Sequence, residues 1–123
     1  MPQLDWNIKI IPSGTGAAFQ PNLPGAKPGD PLNAQESDIV SWGNHTNEVH
    51  QPWPTVGNLP NGDPVLKPAT GNPPGYLSDP IPPNDSSRPQ FVVPKDADGT
   101  NTIYYCCRSH PTERGQIIIV SPF

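Results

Sequence analysis

Methionine is absent beyond residue 1, cysteine occurs only twice, and Lys and Arg together number seven. Each scarcity excludes something. Seven basic against eleven acidic side chains give a net charge of −4 without a basic cluster, so no nucleic-acid surface is expected. No apolar run approaches the ~18 residues of a membrane span, so no transmembrane segment is expected in this chain. No secretory hydrophobic region stands out either, so the chain reads as cytosolic or already mature. The two cysteines, Cys106 and Cys107, are adjacent and cannot staple distant segments. They form either a strained vicinal disulfide or two thiols. Thiols that persist in an oxidising compartment need a reason, and metal ligation supplies one. With only three histidines, no Ser-His-Asp grouping and no phosphate-cradling glycine loop, hydrolase chemistry is not expected.

Proline and glycine are abundant, 20 and 11 of 123 residues, which brings the chain close to a disordered composition. Short apolar segments argue the other way: Ile8–Ile11, Ile39–Trp42, Phe91–Val93, Ile103–Tyr105 and Ile117–Val120. They are β-branched or aromatic and bounded by Gly, Pro, Asn and Asp, which is a strand signature. No segment sustains helical periodicity. The expectation is one all-β domain over residues 1–123, with strands over 4–12, 37–42, 102–107 and 117–120. A further short strand is expected around Ala17–Gln20. Most of the prolines fall between Gln51 and Pro94, so that segment reads as a long loop with strands only at Val65–Lys67 and Gln90–Val93. It serves either as a fixed surface loop packed by Trp53, Leu66, Tyr76 and Leu77, or as a lid or docking surface over a nearby site.

Chemistry concentrates in Tyr105-Cys106-Cys107-Arg108-Ser109-His110-Pro111-Thr112-Glu113-Arg114-Gly115. A thiolate beside an imidazole favours copper, zinc or iron over calcium or magnesium. On an extended strand Ile103, Tyr105 and Cys107 share one face, and Tyr104 and Cys106 the other, so only one cysteine can aim at a given ion. Cys-x-x-His-Pro-x-x-x-Gly before an apolar strand resembles the C-terminal copper loop of the cupredoxins, in its short amicyanin-like form. The segment Asp38–His50, with Trp42, Asn44 and His50 in order, is similar to the family's strand carrying the first copper ligand. The resemblance covers roughly residues 38–50 and 99–120. It implies a Greek-key β-sandwich with a long Pro-rich loop insertion, one copper ion per chain cycling between Cu(II) and Cu(I), and ligation by His50, Cys107 and His110. It also implies a periplasmic or otherwise extracytoplasmic location and a redox partner protein docking near His110.

The chain departs from the family pattern where a weak axial methionine belongs, because Glu113 stands there. A carboxylate ligand favours Cu(II), weakens the copper–sulfur bond and lowers the reduction potential. Such a site looks more like a nitrosocyanin-type red copper centre. One alternative stays open: Glu113 is solvated beside Arg114, and the axial position is empty or held by the Val49 carbonyl. Glu48 is a competing carboxylate. His45 is either an exposed residue or a secondary ligand, and the Gln51 amide is expected to tie the two ligand loops together. Asn44-His45-Thr46 and Asn84-Asp85-Ser86 match a glycosylation pattern that is common by chance.

Electron transfer by a mononuclear copper site is the leading function, and a non-catalytic one. The alternatives are a red-type or type-2-like copper enzyme or a protein binding small molecules such as NO or O2, and a copper storage or delivery module. Zinc also suits this donor set and would make it redox-silent.

Overall fold

The computed structural model describes residues 4–14, 16–55, 77–88, 90–96 and 100–120. Eight strands run in chain order as β1 (Asp5–Ser13), β2 (Gly16–Pro21), β3 (Leu32–Ala34), β4 (Ile39–Asn44), β5 (Pro52–Pro54), β6 (Phe91–Val92), β7 (Thr102–Cys107) and β8 (His110–Ile119). There is no helix among the described residues. One sheet has the order β2-β1-β4-β6 and the other β3-β8-β7-β5. The β1–β4 and β3–β8 pairings are parallel and the rest antiparallel. From β2 to β7 each successive strand changes sheet, the crossing pattern of a β-sandwich. The expected all-β sandwich is therefore the fold the chain adopts.

Period-two burial explains how the sheets close. Ile8 and Ile10 on β1, Val40 and Trp42 on β4, Ile103 and Tyr105 on β7, and Ile117 and Ile119 on β8 are buried, while their neighbours along each strand are less so, except Cys106, which is also buried. These side chains interlock in one core cluster that also holds Phe19, Leu32, Phe91 and Cys107. At its centre Tyr105 meets Phe19 edge-on, with ring centroids 4.8 Å apart, and Trp42 at 5.5 Å.

Some expectations need correction. The first strand runs on through Pro12 to Ser13 rather than ending at Pro12. Two short strands, β3 and β5, went unforeseen. β5 is Pro52-Trp53-Pro54, and it lies at a sheet edge, where a residue without an N–H leaves no ladder bond unmade. β8 begins at His110 instead of after Gly115, so the chain turns at Arg108–Ser109. Of the long proline-rich segment, Trp53 and Leu77 are buried as expected. Val65–Lys67, Leu66 and Tyr76 lie outside the described residues.

Asp38 ties the first strand to the fourth. Its buried carboxylate accepts hydrogen bonds from Leu4 N (3.1 Å), Trp6 Nε1 (2.9 Å) and Gln35 N (2.9 Å). Burial works to raise the carboxyl's pKa, but these three donors outweigh it and hold the group below the usual carboxylate value of 3.8. The contribution of Asp38 to stability is therefore full above the unfolded value and is lost as the pH falls through the depressed folded one. Asp38→Ala should cost on the order of 3 kcal/mol at neutral pH, because it strands three donors. Asp38→Asn should flatten the acid limb of stability against pH below about pH 4. Urea denaturation across pH checks both.

Candidate metal centre

The topology gathers one end of each relevant strand. The C-terminal ends of β4 and β7, the N-terminal ends of β2 and β8, and the segment leading into β5 converge at the same end of the sandwich. Asn44, buried at the end of β4, shapes the turn beyond it. Its amide donates to the carbonyls of Glu48 (2.6 Å) and Ile81 (2.9 Å), and its Oδ1 accepts from Thr46 N and Oγ1. The same bonds leave no free amide for a glycan at Asn44. Reciprocal backbone bonds between His50 and Ile81 then fix the residue that carries the imidazole.

Cys107 ends β7 on the core-facing side, and His110 lies opposite it in the ladder. The register slips between Cys106 and Cys107, so that Arg114, four residues beyond His110, pairs with Cys106. Beyond the slip, Glu113, Gly115, Ile117 and Ile119 alternate inward, and Glu113 is the inward member nearest the cluster.

The four donors face one another. Cys107 Sγ lies 3.4 Å from His50 Nδ1 and 3.5 Å from His110 Nδ1. Glu113 Oε1 lies 3.4 Å from His50 Nδ1 and 3.8 Å from His110 Nδ1. All four ligand atoms fall within 4.8 Å of one another. An ion with bonds of roughly 2.0–2.3 Å in a tetrahedral set holds its donors roughly 3.3–3.7 Å apart. The three separations of 3.4, 3.5 and 3.4 Å fall in that range and the Glu113–His110 distance lies just beyond it, so only small shifts would close the set on an ion.

Two further observations point the same way. Glu113 Oε1 is sealed from solvent and has no hydrogen-bond partner, whereas its twin Oε2 accepts from Ala17 N at 3.0 Å. A buried carboxylate oxygen left in that state costs about 1–3 kcal/mol or more, which an ion at the cluster's centre would remove. The Cys107 thiol is pushed up by burial, and the Glu113 charge adds to that. Backbone N–H groups of Gln51, Ser109 and His110 oppose the shift and would stabilise the sulfur once deprotonated.

The remaining candidates separate clearly. His45 and Glu48 are exposed and stand outside the four-donor cluster, and the Val49 side chain is exposed as well. Gln51 corrects one expectation. Its amide donates to Ser78 O (2.9 Å), and it is the Gln51 carbonyl, accepting from Arg108 N (2.8 Å), that joins the two ligand-bearing segments. Cys106 is a fully buried free thiol, opposite Trp53 on β5 and Arg114 on β8. Burial, then its neighbour Cys107, pushes this thiol up to about 11. Cys107 is also free, so the disulfide alternative does not hold. The strand expected around Ala17–Gln20 is present as β2, but sequence reasoning missed that it reaches the site. Gly16 and Ala17 touch Glu113 across 96 residues of chain, and no local pattern announces that.

A cleft of about 240 Å³ adjoins the cluster, lined by Pro12, Gly14 and Gly16 on one wall and by Thr46, Asn47 and Glu48 on the other. His50, His110 and Glu113 form its floor. Cys107, part of the core cluster, is not among its lining residues.

No protein-family model matches the chain, and no curated protein matches it. Among solved structures, several forms of amicyanin are similar. An oxidised point mutant shares 17% identity over 73% of this chain and 69% of that chain, with a TM-score of 0.46. A reduced Cu(I) mutant at pH 4 shares 15% identity over 98% and 84%, with a TM-score of 0.48. A second Cu(I) mutant shares 14% identity over 96% and 82%, also at 0.48. At these values the likeness says nothing of the site, whose chemistry rests on its own four donors.

Proposed function

We propose that the chain, as one domain, is a mononuclear copper protein that transfers single electrons, with His50, Cys107, His110 and Glu113 as the metal's ligands. The observation that carries this reading is the solvent-sealed, unpartnered Glu113 Oε1 facing a thiol and two imidazoles at metal-ligand spacing. Copper in such a set supplies a one-electron Cu(II)/Cu(I) couple. The chain's residues supply the rest. Two anionic donors, the Cys107 sulfur and the Glu113 carboxylate, balance a dication and leave one net negative charge on a monocation. That imbalance favours the oxidised state and sets a low potential. Burial of His50, Cys107 and Glu113 keeps water away, and four protein donors leave no position for substrate, as in non-catalytic sites. The His110 side chain is 40% exposed, so it is the ligand a partner protein can touch. The reading places the protein in an extracytoplasmic compartment.

A second reading is favoured by the cleft, whose lining includes His50, His110 and Glu113. A small molecule could approach there and displace the carboxylate. Anaerobic Cu(II) titration separates the possibilities. The expected result is one ion per chain, an intense thiolate-to-copper absorption of red type, and loss of that band in Cys107→Ser. Azide should leave the spectrum unmoved. A shifted spectrum selects the small-molecule reading, and a chain that binds no copper through sulfur refutes both.

A further inference from the structure

We infer that the Gly16–Ala17 edge of β2 is a positioning device for Glu113 and sets the site's preference for divalent over monovalent ions. The inference rests on the metal-site reading above and deepens it.

Three observations meet at this point. Ala17 N donates to Oε2 of Glu113 at 3.0 Å, so one carboxylate oxygen is held by a strand of the opposite sheet. The other oxygen, Oε1, is thereby turned toward His50, His110 and Cys107, where it has no partner of its own. Gly16 makes the approach feasible. A Cβ at this position would stand 2.8 Å from Oε2, inside van der Waals contact, with Cδ at 3.8 Å. The glycine is needed here for space, since its φ is not left-handed, unlike that of Gly14 at +59°. β2 is an edge strand, so the Ala17 N–H is spare and can serve a side chain across the sandwich.

The chemical consequence comes from counting charge. With one oxygen tethered, Glu113 offers the ion a single, anionic oxygen at a fixed place. A hard anionic donor favours a dication, whereas Cu(I) is satisfied by the sulfur and imidazoles. Displacing the carboxylate should thus weaken divalent binding much more than monovalent binding. Positioning contacts of this kind change metal affinity by about 10–100-fold.

The test compares Cu(II), Zn(II) and Cu(I) affinities by competition with chelators in the full chain and its variants. Gly16→Ala should weaken Cu(II) and Zn(II) by about 10–100-fold and Cu(I) by less than about threefold. By the one-electron relation of ~59 mV per tenfold, the potential should then rise by about 60–120 mV. Ala17→Pro removes the donor and sets the ring Cδ where the N–H met the carboxylate, so it should displace Glu113 and act in the same direction. In a Glu113→Ala background Gly16→Ala should have no further effect, because the group it displaces is gone. An unchanged Cu(II)-to-Cu(I) ratio in both variants overturns the inference. So does an equal loss with and without the Glu113 side chain, which would mean general loosening. Should neither single variant fold, the Gly16→Ala, Glu113→Ala pair must fold, since the overlap has been removed; its failure counts against the inference as well. A wild-type chain lacking any thiolate-to-metal band instead defeats the underlying metal-site reading, and the two failures are thereby distinguishable.

Discussion

Glu113→Met should raise the reduction potential of the copper-loaded protein by on the order of 150 mV and shift its visible absorption from red-type toward blue. The wild-type carboxylate is anionic, its Oε1 sits 3.4 Å from His50 Nδ1, and solvent does not reach it. Its charge is therefore poorly screened, and it stabilises the dication far more than the monocation. A thioether is neutral and soft, and it reverses that preference. If the relative preference for Cu(II) over Cu(I) falls by two to three powers of ten, a one-electron couple moves by ~59 mV for each. The spectral change has the same origin. Without the carboxylate pulling on the ion, the copper–sulfur interaction strengthens. Cyclic voltammetry and visible absorption on the two proteins measure both effects. A potential within about 30 mV of wild type, with an unchanged band, would remove Glu113 from the metal's ligands; half of one 59 mV step is too little for a lost anionic donor.

Gly115→Ala should cost more stability than the loss of any single hydrogen bond in the fold, about 3 kcal/mol or more. Gly115 pairs directly with Tyr105 across β7 and β8, and the tyrosine ring lies over the glycine. A Cβ at Gly115 would overlap Tyr105 Cζ and Oη and come to 2.7 Å from Cε2. The ring has nowhere to go. Phe19 and Trp42 hold it edge-on from two sides, and its hydroxyl accepts from Trp42 Nε1 at 3.3 Å. Burial also pushes its phenol far up, so ionisation offers no relief at ordinary pH. Overpacking of a rigid core typically costs about 1–3 kcal/mol, and displacing a ring central to both sheets belongs at the upper end or beyond. Thermal denaturation of the metal-free protein tests this without interference from the site. A melting temperature within about 2 °C of wild type would mean that the ring and glycine can separate cheaply.

Much of the site is legible in the chain, for identifiable reasons. Cys107 and His110 are three residues apart, so one tight hairpin must bring them together wherever it lies. β7 is readable because Ile103 and Tyr105 alternate with the less buried Thr102 and Tyr104, although the alternation ends at Cys106, which is buried too. Glu113 is harder. Its inward aim emerges from counting back by twos from Ile119 and Ile117, but only if β8 starts at His110, and Pro111 argues for a turn instead. β5 is hidden because a proline penalty applies to central strands and not to an outer one. β3, three residues long, pairs with β8 over a separation of more than eighty residues, and its alternation is too brief to notice. Gly16 cannot be found from sequence at all. Its importance comes from a carboxylate nearly a hundred positions away, and only the packing of one sheet on the other reveals it.

The spacing of the donors along the chain also orders events during refolding. Cys107, His110 and Glu113 lie within one hairpin, whose closure takes little loop entropy, whereas His50 is 57 residues from Cys107 and Ala17 is 96 from Glu113. Local contacts of the first kind form early and distant ones late. A refolding chain should thus gather three donors on one short arm before His50 joins them, so that this hairpin would be the first place where an ion could be held.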